Sequence, residues 1–225
     1  MVSKSTKKTE ILKSRKNIRT ILIIISSLLL VIGLSQLFQH YQATNGAGDL
    51  PDANNVITKD TDVPEEKKPK DSDYNVPANQ PRRISLPTID TEGLIQKVGI
   101  NSNNAISVPS NIHFGGWYVE SVTPGELGLS IIDGHVSGKY QDGIFKNLKD
   151  VKTGDTFSIE FGDLSRRNFE VVEVRTLPEA ESAAFLLTKR DDIEQQLNLI
   201  TCGGEFNKDK QTYNDRVVVV SRAIK

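Results

Sequence analysis

The sequence predicts a mainly β domain, a barrel or sandwich, carried behind an apolar span and a linker. Three observations point there. From Pro81 onward, short runs of β-branched and aromatic residues recur between turn signals. Phe157, Ile159 and Phe161 alternate with polar neighbours, the period of a strand that buries one face and wets the other. The stretch 199–220 reads as a hairpin: Leu-Ile-Thr-Cys-Gly-Gly, a polar loop, then Tyr213-Asn-Asp-Arg216 opening a run of valines.

The 225 residues allow one medium domain plus accessory segments. With 28 basic and 29 acidic residues the net charge is -1, so nothing global points to nucleic acid. The balance is uneven along the chain. Residues 1–19 are a basic tail with Glu10 as their single acid, and 20–38 carry no ionisable side chain. About 20 such residues in a helix span a bilayer core. The run is long for a signal-peptide core, and no clear small-x-small cleavage site follows, 43–47 being the nearest candidate. The expectation is a retained transmembrane helix at 20–38, with a cytoplasmic N-terminus and an exported body.

Residues 39–80 read as a disordered linker, with Pro51, Pro64, Pro69 and Pro77, alternating acids and lysines, and no apolar period. The folded domain is expected over 81–225. Its strand-like runs are 83–87, 94–100, 127–132, 156–161, 169–175, 197–201 and 217–221, giving seven or eight strands. Between the 169–175 and 197–201 runs, 176–196 forms a long insertion. Its segment 179–187 has helix-forming composition, and 191–196 could add a turn or two.

Cys202 is the only cysteine. In an exported chain it has no internal disulfide partner, which favours a thiol kept for its chemistry. If the flanking strands pair antiparallel, Cys202 leaves the first where Arg216 enters the second, so thiol and guanidinium share one end of the sheet. Of the three histidines, His40 follows the apolar span and His113 lies in a glycine-rich loop, where a structural role is the default. His135 stands where an apolar strand ends, in Ile-Asp-Gly-His. A Cys–His pair suffices for acyl transfer, and Arg216 offers fixed donors for an oxyanion. No zinc spacing is present. Acids such as Glu126, Asp133 and Asp163 form no EF-hand pattern, so no metal or other cofactor is expected.

These motifs, Ile-Asp-Gly-His135, Leu199-Ile-Thr-Cys202-Gly-Gly and Tyr213-Asn-Asp-Arg216-Val-Val-Val, together resemble the sortases, cysteine transpeptidases of Gram-positive-type cell surfaces. The resemblance runs from Pro81 to the C-terminus and includes Gly116-Trp117-Tyr118, Pro124-Gly-Glu-Leu-Gly128, Gly143-Ile-Phe145 and Gly154-Asp155. It implies an eight-stranded β-barrel with short helices. It also implies Cys202 as a nucleophile forming a thioacyl enzyme, His135 as acid and then base, and Arg216 as the group holding substrate and oxyanion. Thr201 would lie against the substrate, and the 176–196 insertion would receive it, with Phe185 and Leu186 as contacts. The implied substrate is a surface protein bearing a Leu-Pro-x-Thr-Gly-like sorting signal, cut between Thr and Gly. The implied acceptor is an amine of the cell envelope, a peptidoglycan precursor or a pilin lysine. The glycine pair after Cys202 looks more like class F than the best-known housekeeping members. A hydrolase on the same scaffold, and a non-enzymatic β-barrel binding module, are the competing readings.

Overall fold

The computed structural model describes residues 64–102, 104–209 and 212–225. The expected basic tail, the span 20–38 and the linker up to residue 63 lie outside them. Among the described residues no helix is long and apolar enough to cross a membrane.

Eight strands close into a barrel: β1 (Pro81–Leu86), β2 (Thr91–Val98), β3 (Phe114–Tyr118), β4 (Gly128–Gly134), β5 (Thr156–Phe161), β6 (Arg166–Pro178), β7 (Gln195–Asn207) and β8 (Thr212–Ile224). Around the barrel their order is β1-β2-β3-β4-β7-β8-β6-β5. The pairs β2/β3 and β4/β7 are parallel and the rest antiparallel. Closure leaves no ladder unpaired, which resolves the expected barrel-or-sandwich alternative.

The interior is filled by alternate residues from every strand, including Ile84, Ile95, Ile132, Phe157, Ile159, Phe169, Leu197, Leu199, Val217 and Val219. Strand β5 shows the expected alternation, with Phe157, Ile159 and Phe161 buried. Phe157 stacks on Phe169 of the neighbouring strand at 5.3 Å between ring centroids. Full burial of such side chains contributes roughly 1.5–3 kcal/mol each.

Three elements differ from their sequence expectation. Phe-Gly-Gly-Trp-Tyr, taken as loop, is strand β3. Two adjacent glycines hide its period, yet the barrel needs one there: a Cβ at Gly116 would fall on the Asp133 carboxylate of the paired strand. The helical insertion is shorter than 176–196. Strand β6 runs to Pro178 on its pairing with β8, one helix α1 covers Glu179–Leu186, and no second helix forms before β7. Gln195 and Gln196 instead pair with Gly128 and Leu129, so tertiary pairing overrides local helix propensity.

Finally, β7 does not turn at the glycine pair but continues to Asn207. Gly203 still pairs with Asp215, and a register slip follows before Phe206 pairs with Tyr213. Gly204 sits in that bulge at φ +72°, a conformation glycine adopts without strain.

Residues 64–80, expected to belong to the solvated linker, pack on the barrel. Glu65 bridges to Asn111, and the Asn111 side-chain amide donates to the Lys67 carbonyl (2.8 Å). His113 Nε2–H donates to the Glu66 carbonyl (2.9 Å). Tyr74 donates to the Ile95 carbonyl (2.5 Å) and meets Phe114 edge-on at 5.3 Å. Burial pushes the Tyr74 hydroxyl up to about 12, so it stays a donor across the physiological range. The charge pattern concealed this because one aromatic ring, hydrogen bonds and ion pairs such as Asp71–Arg82, rather than an apolar period, hold the segment. Replacing Tyr74 by Ala is expected to destabilise the domain by about 2 kcal/mol in denaturant unfolding. Unchanged stability would show that 64–80 contributes nothing to the fold.

Candidate active site

Side-chain alternation sorts the three strands β4, β7 and β8 into an inner and an outer face. Ile132, Leu197, Leu199, Val217 and Val219 enter the barrel core, whereas Ile131, Ile200, Val218 and Leu186 of α1 form a second cluster outside it. Counting in twos from that outer cluster places Asp133 on β4, Cys202 on β7 and Arg216 on β8 on the same outer face, with His135 one residue past the end of β4. Cys202 and Arg216 are direct cross-strand partners. Asp133 pairs with Ile200 in the parallel β4/β7 ladder, and two residues beyond each stand His135 and Cys202. The ladder is tied at that end by the Thr201 hydroxyl, which donates to the Gly134 carbonyl (2.7 Å).

Over this face opens a cleft of about 410 Å³. Its floor is Asp133, Ile200, Cys202 and Arg216; one wall is the segment 104–108 and the other is α1, through Glu179, Ser182, Ala183 and Leu186. Helix α1 buries Ser182 and Leu186, four residues apart on one face. Its C-terminal end is fixed from β7: Asn198 Nδ2 donates to the Leu186 carbonyl (2.7 Å), and Gln196 Nε2 donates to the Thr188 carbonyl (3.0 Å). The wall is thus anchored at the helix end by buried polar side chains of the same outer face.

Arg216 is held from two sides. Nη1 donates to the carbonyls of Tyr213 and Asp215, both at 2.8 Å, and Nη2 meets Glu179 Oε1 at 2.5 Å. Glu179 lands there because β6 pairs Pro178 with Asp215, which delivers the first residue of α1 beside the guanidinium. This partner lies 37 residues away in sequence. Only the length of β6 reveals it.

His135 is mostly buried, and its Nε2 lies 2.7 Å from the Pro109 carbonyl. A carbonyl only accepts, so Nε2 carries the proton and Nδ1 is the nitrogen free to act as a base. Burial lowers the His135 pKa, against a smaller opposing effect of the Pro109 contact. Burial raises the Cys202 thiol; the Arg216 charge opposes this, while Glu179 and Asp133 add to it. Both groups therefore rest neutral near pH 7. A thiolate–imidazolium pair forms by moving one proton between them, without changing the net charge of the cleft.

The other residues singled out from sequence are placed as follows. Leu186 lines the cleft. Phe185, one residue earlier on the helix, does not; its ring lies under the Arg175 guanidinium at 5.6 Å. Thr201 borders the cleft, with its hydroxyl committed to Gly134. Glu126 is ion-paired with Arg167 and Asp163 accepts from Ser165, whereas Asp133 sits in the cleft.

If the reactive form is thiolate plus imidazolium, kcat/KM should follow a bell in pH. The lowered His135 puts the acid limb below the ordinary 6.5, and the raised Cys202 puts the alkaline limb above the ordinary 9.0. Glu179→Gln removes a charge that raises the thiol, so its alkaline limb is expected to move to lower pH. An alkaline limb unmoved in that variant would show that Glu179 does not act on the thiol.

The profile of the Sortase domain family matches residues 84–224, more than half of the chain. Among solved structures, the lid mutant of sortase A from Corynebacterium diphtheriae is similar at a TM-score of 0.50 and 24% identity, covering 64% of this chain and 70% of its own. Sortase A from Listeria monocytogenes gives 0.47 at 23% identity, over 65% of this chain and 88% of its own. Sortase C-1 from Actinomyces oris gives 0.47 at 21%, over 64% and 73%. At this identity the first of these supports the barrel fold alone. No curated relative matches. The matched range includes His135, Cys202 and Arg216, and the chain belongs to the sortase family of cysteine transpeptidases.

Proposed function

We propose that this sortase cleaves a Leu-Pro-x-Thr-Gly-like sorting signal between Thr and Gly and transfers the acyl part to an amine of the cell envelope. The observation that carries the reading is the cross-strand pairing of Cys202 with Arg216 at the floor of a cleft walled by α1, with His135 one residue past the end of the adjoining strand β4. The glycine pair after Cys202 supports a reading nearest class F. In this reading the span 20–38 anchors it as a single-pass protein, with the catalytic domain outside the cell.

The steps follow from the resting protonation. The thiol proton moves to His135 Nδ1, and the thiolate attacks the threonine carbonyl carbon. The carbonyl π electrons move to oxygen, where the Arg216 guanidinium stabilises the negative charge. To do so, Arg216 turns donors from Glu179 toward the substrate. Collapse breaks the C–N bond, and the glycine amine leaves with the proton from His135. An incoming amine attacks the thioester and gives its proton back to the imidazole. The second collapse releases the thiolate and the new amide. The neutral imidazole suits both halves, taking a proton from thiol or amine and returning it.

A soluble protein starting at Pro64, incubated with a Leu-Pro-x-Thr-Gly peptide and several amines, should yield the amide product, with a thioacyl adduct on Cys202 detectable by mass spectrometry. Free acid as the sole product across those amines would instead favour a hydrolase. Cys202→Ala should abolish turnover with an unchanged melting temperature. Persistent cleavage in that variant would sink the assignment. Arg216→Lys keeps the charge and loses the planar fork, so kcat/KM should fall on the order of 100-fold. Its stability should change by less than about 1 kcal/mol, since the ion pair with Glu179 is partly exposed.

A further inference from the structure

Asp133 is out of place by the usual rules for buried groups. It lies in the interior of β4, paired with Gly116 of β3 on one side and Ile200 of β7 on the other. It is 6% exposed, and its Oδ1 is buried with no hydrogen-bond partner among the described residues. Its immediate surroundings are apolar: Val98 and Pro109 crowd the same spot over Gly116, where a Cβ would displace the carboxylate. A fold gains nothing from an unsatisfied acid here, and an apolar residue of similar size would fill the position better. Yet Asp133 lines the same cleft as Cys202.

Its position along the strands indicates what reaches it. Asp133 stands at the level of Ile200, one side-chain step from the His135/Cys202 level and toward the Ile131–Leu186 cluster under α1. That step is about 6.6 Å, roughly two residues of an extended peptide. A peptide with its scissile carbonyl over Cys202 and its preceding residues running beneath α1 passes over Asp133. We propose that Asp133 is a specificity-determining residue whose carboxyl group accepts a hydrogen bond from a peptide N–H of the acyl segment, within two residues upstream of the scissile carbonyl. This rests on the reading of the cleft given above. In a Leu-Pro-x-Thr-Gly signal only the N–H groups of x and Thr qualify, since proline has none. Arg216 and Asp133 then hold the substrate from opposite polarities, the cation at a carbonyl and the acid at an amide hydrogen. Burial raises the Asp133 pKa well above the ordinary carboxyl range. A neutral acid keeps its acceptor lone pairs and adds no negative charge beside the thiol.

A double-mutant cycle with chemically edited substrates tests this. Wild type, Asp133→Ala and Asp133→Asn are compared on the parent peptide and on two esters that replace, in turn, the N–H of Thr and of x by oxygen. Asp133→Ala is expected to lower kcat/KM on the parent peptide on the order of tenfold, with the KM for the amine acceptor unchanged. On the ester lacking the matched N–H, the wild type should fall to the same level, and Asp133→Ala should fall no further. Asp133→Asn retains an acceptor and should recover most of the activity. Both variants should melt no lower than wild type at pH 7. Additive losses on both esters, or a melting temperature that falls in step with activity, would assign Asp133 a structural role and overturn the proposal. A wild type that cleaves normally alongside an equally active Asp133→Ala overturns this proposal alone. A wild type inert to the parent peptide overturns the reading of the cleft and this proposal with it.

Discussion

The cross-strand register of β7 and β8 is the constraint on which the site depends. It makes Cys202 and Arg216 neighbours on one face, and barrel closure holds that register from outside, because β8 lies between β7 and β6 and β7 between β8 and β4. A slip of one residue would turn the thiol into the core and bring Thr201 or Gly203 to the surface. The valine run of β8 guards against this, since Val217 and Val219 fill the barrel while Val218 packs under α1. The bulge comes only after Gly203, so the ladder stays regular through the reactive pair.

The electrostatics of the cleft follow from burial more than from charge. Cys202 and His135 both sit where the neutral form is favoured, and the nearby formal charges partly cancel: Arg216 favours a thiolate, while Glu179 disfavours it. The Glu179–Arg216 contact also occupies part of the guanidinium donor set. In the proposed mechanism the substrate competes with a carboxylate for that cation. The pair is half open to solvent through Glu179, so the competition takes place in a screened setting.

The N-terminal segment is part of the same body. Tyr74, Glu65 and the Asn111 and His113 contacts pin 64–80 to the β2–β3 side of the barrel. That side leads through Pro109 to His135, whose ring is held by the Pro109 carbonyl. The chain ahead of the first strand thus supports the segment that orients the histidine.

Much of this was legible in the amino-acid order. Seven of the eight strands and the alternation of β5 follow from periodicity, which depends only on neighbours two residues apart. The lone cysteine, the arginine opening the valine run and the histidine at a strand end supplied the candidate groups that the proposed mechanism uses. The tertiary structure alone decided the rest. Strand β3 is invisible locally because glycines carry no hydropathy period; its identity comes from packing beneath Asp133. The length of β6, and hence the landing of Glu179 on Arg216, is set by pairing with β8, about forty residues away in sequence. The missing hydrogen-bond partner of Asp133 is a property of three strands and a cleft together. The sequence by itself determined which chemistry the chain carries, since residue type sets reactivity. Which side chains share a face, and with what partners, was decided by non-local strand register, which no short window of sequence encodes.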